Sequence, residues 1–384
     1  MIDLDVAPPP RATVTRRPSI PLLLSLAAVF LLLGASAPRP RPAPGVIIPA
    51  TSRDDTFVDG DRLFVINPAG LLRIFRLPGA HLVRQIRIRP PGPVSEVRQA
   101  GEVLLITTSG PPATVAVDAG SGRPLWSAEA HPVSAADGLV VLTDDLSTWA
   151  VDSRTGTVRW RLDQPVAGSR YLVNASFDGM TAFDGRTGAM VATAPIHLSG
   201  VVYSYLADDR FVIGDSTGIT AYRLPSLTAL WHVATPTPPD RLEPRCVQVL
   251  CYYTGDQGVT VRDPATGRTL WSSPRWATVA PLGAGMVAAA DSGPLEAVRL
   301  TLLDPATGRI RGDFDGWHAI DDHLRYALHP ASTRHDYWFG AFDPAHASVR
   351  IIGEVPQMSG SYLAAAGALV YHRIDGSIAV WRFG

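Results

Sequence analysis

The chain predicts an all-β fold of radially repeated four-stranded units: a β-propeller of eight blades, with seven as the next choice. Two observations carry this. The first is a recurring phrase of Asp, two variable residues, Ser or Thr, and Gly. It occurs at Asp118 and Gly122, Asp152 and Gly156, Asp184 and Gly188, Asp263 and Gly267, and Asp304 and Gly308. The second is its period. Gly-to-Gly steps are 34, 32, 79 and 41 residues, and the long step hides a degenerate copy at Tyr222-Arg223-Leu224-Pro225-Ser226. A period of this size, with several short apolar runs per unit, marks a repeat architecture.

Each phrase lies between two strand-like runs, as where Thr148-Trp149-Ala150-Val151 precedes and Val158-Arg159-Trp160-Arg161-Leu162 follows. The Asp carboxylate can accept hydrogen bonds from N–H groups two and three residues on, and the Gly supplies the positive φ that a tight hairpin needs. A Trp follows at a fixed distance in four units, at Trp126, Trp160, Trp231 and Trp271. There a large ring can fill the space between neighbouring sheets. Hairpin capping accounts for all five Asp residues together, which favours it over calcium or substrate binding.

Before the repeats, residues 1–18 are expected to form a short cytoplasmic tail that includes Pro8-Pro9-Pro10. Residues 19–37 form an apolar segment preceded by Arg16 and Arg17. Eighteen helical residues span about 27 Å, close to the hydrocarbon core of a bilayer. The same segment reads as a secretory signal ending in Ala35-Ser36-Ala37, but Pro38 directly after that site argues for an uncleaved membrane anchor. Residues 38–45 alternate Pro with Arg and Ala, a stiff polyproline-type spacer. The propeller is then expected over 46–384. Nine candidate units can be marked, at 54–89, 94–130, 132–164, 166–195, 200–235, 242–274, 277–315, 317–356 and 358–384. That is one too many for eight blades, so the first or the fourth is expected to merge with a neighbour. The last has only three strand-like runs and needs a fourth strand from the N-terminal side, for which Val46-Ile47-Ile48 is the candidate.

The phrase Asp-x-x-Thr-Gly-x-x-x-Trp behind an apolar strand, best at Val151-Asp152 through Trp160 and Val261-Arg262-Asp263 through Trp271, resembles the repeat of the pyrroloquinoline-quinone-like (PQQ-like) propeller family. That resemblance implies the fold and, for the non-catalytic BamB-like branch, a protein-binding scaffold of the cell envelope. The catalytic branch comprises quinone-dependent dehydrogenases, which are longer and use adjacent cysteines beside the cofactor. Here Cys246 and Cys251 stand five positions apart, as a local disulfide across one hairpin would place them. No Glu/Asn/Asp set for a calcium–quinone site is apparent, and no cofactor is expected.

Ionisable groups concentrate only at His318, Asp321, Asp322, His323, His329, His335 and Asp336. Their spacing matches no helical zinc motif, and loop composition explains them better than a metal site. No nucleophile elbow or phosphate-binding glycine loop is present. The formal net charge is −1, so nucleic acid is not an expected partner. All 34 basic side chains are Arg. The sequence therefore points to a membrane-anchored extracytoplasmic scaffold that contacts protein partners through loops. A ligand- or glycan-binding sensory propeller is the alternative, and a quinoprotein oxidoreductase ranks last.

Overall fold

The structure, a computed structural model, describes residues 45–384 apart from 111–112, 145, 169, 177–178, 197, 200–202, 208, 236–240, 244–248, 254–257, 283–285, 292–299, 315, 321–324, 332–334 and 384. The expected tail 1–18, apolar segment 19–37 and nearly all of the spacer 38–45 lie outside the described residues. Among the described residues no helix is long and apolar enough to cross a membrane.

The described strands fall into nine antiparallel sheets of four strands each. In sequence order these blades occupy 55–87, 94–128, 131–162, 167–194, 203–234, 241–273, 276–314, 318–355 and 358–382. All nine units marked in the sequence exist as separate sheets, and the expectation of eight is corrected to nine. Neither the first nor the fourth unit merges with a neighbour. The fourth opens on a strand of only Ala167–Gly168 and the first lacks the Asp–Gly phrase, yet each forms its own four-stranded sheet.

Blade 9 takes its fourth strand from the start of the propeller. Val46–Ile48 pairs antiparallel with Ile378–Arg382, through Val46 with Val380 and Ile48 with Ile378, as the sequence anticipated. In several blades the second strand is the most buried, because both its faces are covered by neighbouring sheets. Val103–Thr108 is buried at all six positions. Outermost strands such as Val158–Leu162 leave side chains in water.

Burial also fixes how the blades are joined. Nine apolar clusters each bridge successive sheets. Phe64 and Ile74 of blade 1 meet Leu104 and Val117 of blade 2, and Phe339 of blade 8 meets Tyr371 and Trp381 of blade 9. The circle closes where Ile48, Val370 and Val380 of blade 9 pack on Leu63, Val65 and Phe75 of blade 1. A closed ring abolishes the lateral exposure of sheet faces that an open stack would leave at its two ends.

Antiparallel order sorts the loops into two sets. Links entering each first strand, and hairpins between second and third strands, lie at one end of every blade. Hairpins between third and fourth strands, which carry the repeated phrase, lie at the other.

Candidate functional site

The repeated phrase forms one turn at each occurrence. The Asp152 carboxylate accepts hydrogen bonds from the N–H groups of Arg154 (3.1 Å) and Thr155 (3.0 Å) and from the Thr155 hydroxyl (3.1 Å). The Gly156 N–H donates to the Asp152 carbonyl at 2.9 Å, with Gly156 at φ +69°. Asp118, Asp184 and Asp304 repeat the side-chain bonds to the Ser or Thr, Asp263 accepts from the Ala265 N–H at 2.8 Å, and all five glycines have positive φ.

The Trp residues are not held by their own turn. Each docks on the turn of the next blade. Trp126 Nε1–H donates to the Ser153 carbonyl (2.8 Å), Trp160 to Arg186 (3.1 Å), Trp231 to Pro264 (2.9 Å) and Trp271 to Pro305 (2.8 Å). The ring then lies flush against the glycine. A Cβ on Gly156, Gly188, Gly267 or Gly308 would fall within 2.6–2.7 Å of that Trp. Glycine is required twice over, for its φ and for the ring above it.

The same position is filled differently elsewhere. In blade 1 Arg84 takes the place of Trp and its guanidinium donates to the Gly120 carbonyl of blade 2. In blade 4 Ala192 stands there, and the facing turn of blade 5 carries the bulky buried Leu227 at φ +54°. In blade 7 Gly312 stands there, against Ala347 of blade 8. Ala347 ends a turn opened by Asp343, whose carboxylate meets His346 Nδ1 at 2.8 Å. This sixth copy opened by Asp escapes the sequence pattern because His and Ala replace Thr and Gly.

Of the two cysteines, Cys251 is fully buried on the strand Leu250–Tyr253, while Cys246 lies outside the described residues. Of the His/Asp-rich segment, Asp321, Asp322 and His323 also lie outside. His318 is half-buried, and burial together with neighbouring His329 lowers its pKa. The Asp336 carboxylate accepts from the Gln357 N–H at 3.0 Å. Among the described residues no group of three metal-ligating side chains converges.

Among the described residues a concavity lies on the face opposite the docking turns, where blade 9 meets blade 1. It is a cleft of about 670 Å³ lined by Asp54, Asp55, Phe57, Tyr362, Leu363 and His372, among others. Through Asp55 and Val94 it continues into a second cleft of about 440 Å³, walled by Pro68, Pro90, Pro91 and Pro93. Most polar groups of the first cleft are already satisfied. Buried Asp54 accepts from Thr51 Oγ1 (2.7 Å) and from Arg73 (3.0 Å). Arg373 pairs with Asp375 at 2.9 Å. His372 Nε2 lies 3.1 Å from Thr56 Oγ1, a bond across the blade 9 to blade 1 boundary. Burial lowers the His372 pKa against the opposing pull of Asp54 and Asp55. The Ser359 hydroxyl donates to the His372 backbone carbonyl at 3.0 Å, so it is not aimed at the imidazole. No nucleophile–base pair is assembled in this groove.

Residues 90–311, more than half of the chain, match the profile of the family described as outer membrane protein assembly factor BamB. The chain belongs to this family of PQQ-like propellers. The matched BamB-like segment spans blades 2 to 7, where the phrase and the Trp docking recur, whereas most of the groove lies outside it. BamB from Moraxella catarrhalis is similar to 89% of this chain over 97% of its own, at 15% identity and TM-score 0.48. A eukaryotic initiation factor covers 89% of this chain and 88% of its own, at 9% identity and TM-score 0.50. Dihydro-heme d1 dehydrogenase NirN in complex with DHE covers 73% and 76%, at 15% identity and TM-score 0.44. No curated protein sequence is significantly similar to the chain. The first cleft does not fit a calcium–quinone group. Calcium takes six or more oxygens at one point, and with Asp54 held by Arg73 and Thr51 the first cleft offers one free carboxylate, Asp55.

Proposed function

We propose that this chain is a membrane-anchored, extracytoplasmic propeller that acts as a non-catalytic scaffold for protein partners in the cell envelope. The observation that carries the reading is the BamB family match over residues 90–311, because that family is described by a role in assembling other proteins. The mechanism is surface complementarity presented by loops on a rigid ring, with no bond chemistry and no nucleic acid. The N-terminal sequence supports the location: an apolar segment at 19–37 behind Arg16 and Arg17, then a Pro-rich spacer leading to the first strand at Val46. An oxidising compartment agrees with a Cys246–Cys251 disulfide.

The test is a crosslinked pull-down of the tagged full chain from its native membranes. A reproducible, near-stoichiometric envelope protein crosslinked to propeller loops is the expected result. Recovery of the chain alone, or only with abundant bystanders, overturns the scaffold reading.

A further inference from the structure

The seam between the last and first blades carries an unassigned site. Within the first cleft, the charged groups cancel with one exception. Asp54 is neutralised by Arg73 and Arg373 by Asp375. The His372 ring, whose pKa is lowered, is turned to Thr56. Asp55 is exposed and makes no ion pair or side-chain hydrogen bond among the described residues, although it stands where the two clefts join. Arg89 lines the second cleft and likewise makes no ion pair or side-chain hydrogen bond among the described residues. The lining around Asp55 is mixed: Phe57, Tyr362 and Leu363 alternate with the hydroxyl groups of Ser52 and Ser361 in the first cleft, and Val94 leads into the proline wall of the second.

We infer that this groove binds an extended peptide segment through a basic side chain seated on Asp55. The two clefts in series suit an extended chain, whose alternate side chains recur every ~6.5–7 Å on one face, so that residues flanking the basic one fall on the apolar walls. Asp55 supplies a charge-assisted acceptor. Arg89 suits an acidic side chain or carboxylate further along. The proline wall of the second cleft, with Phe57, Tyr362 and Leu363 in the first, offers surface for peptide side chains beside Asp55, and the hydroxyls of Thr56 and Ser359 already have partners. The inference rests on the scaffold reading and locates one contact of it.

The experiment uses the full chain in detergent micelles and two fluorescein-labelled heptapeptide pools. One has a central arginine flanked by mixed residues, and the matched pool has citrulline there. Fluorescence anisotropy should show saturable binding of the arginine pool, about tenfold stronger than the citrulline pool, as expected for loss of one charged hydrogen bond. Asp55→Asn should remove that preference, with an unchanged melting temperature. Asp163→Asn, at a fully exposed carboxylate of blade 3, should keep it. Equal binding of the two pools, no binding, or a preference that survives Asp55→Asn overturns the inference. Equally strong competition by free arginine amide reassigns the groove to a small cation and overturns the peptide part. The pull-down separates this failure from that of the scaffold reading: a stoichiometric partner crosslinked only to other blades leaves the scaffold standing and removes the site.

Discussion

At the scale of single residues, the glycines of the repeated turns illustrate how one position answers two demands. Gly156 has φ +69° and would place a Cβ 2.6 Å from the Trp126 ring, whereas Gly60 has φ +56° with nothing within 4 Å. Gly60→Ala should therefore cost about 1–2 kcal/mol, the left-handed penalty alone. Gly156→Ala should cost about 2–4 kcal/mol, because displacing a packed ring adds to it. Equal losses in denaturant titrations of the two variants would show that the ring contact contributes nothing. Trp126→Phe keeps most of the packing and removes the bond to the Ser153 carbonyl, with an expected loss of about 1 kcal/mol. The φ requirement was legible in the sequence because Asp-x-x-Thr-Gly is a local turn signal. The docking was not, because Trp126 and Gly156 belong to different blades and each looks complete within its own hairpin. Arg84 and Leu227 were less legible still, since they fill the same position with unrelated chemistry.

At the scale of the hairpin, the turn carboxylates set a pH limit on the fold. The Asp152 pKa is depressed by Arg159 first and then by the Thr155 N–H. Asp118 is depressed by the Ser121 hydroxyl and N–H, Asp184 by those of Thr187, and Asp263 by the Ala265 N–H. At Asp304 burial is the largest single influence and pulls upward, but Thr307 and Arg311 together outweigh it. A folded pKa below the ordinary carboxylate value of about 3.9 means that the folded state binds fewer protons. The stabilisation is complete above that value and is lost as pH falls through it towards the depressed folded values. The melting temperature should be level above about pH 5 and decline below about pH 4. Asp152→Asn should melt lower at pH 7 and lose less on acidification. An acid limb identical to the parent's would remove Asp152 from this account. Size matching across blades is testable at the same scale. Gly312→Ala should destabilise blade 7 against blade 8, since its Cβ would lie 2.4 Å from that of Ala347. Adding Ala347→Gly should restore most of the loss, a coupling that independent sites would not show.

At the scale of the whole molecule, the number of blades and the seam were the least legible features, although each of the nine units was visible as a local pattern. How many wedges close a circle depends on the thickness of nine interfaces, and no short stretch of sequence encodes that sum. The groove is similar: Asp55 and His372 face one cleft from opposite ends of the chain, so no motif could announce it. The strand that completes the closing blade is only three residues long. Val46–Ile48 supplies the fourth strand of blade 9, and Ile48, 2% exposed, packs in the cluster that joins blade 9 to blade 1, while Ile47 is 52% exposed. Ile48→Ala should cost about 2–4 kcal/mol, as other large-to-small core changes do, and Ile47→Ala should be nearly neutral. The distribution of the effect matters more than its size. If the ring is held shut here, Ile48→Ala should accelerate hydrogen exchange first in Ile378–Arg382 and in Asp55–Asp59 and Arg62–Ile66 of blade 1, with blades 3 to 6 protected as before. Uniform acceleration around the ring would mean that all nine interfaces open together and that the seam is no weaker than the rest. Protection lost only in blade 9 would mean that the strand completes its sheet without closing the ring.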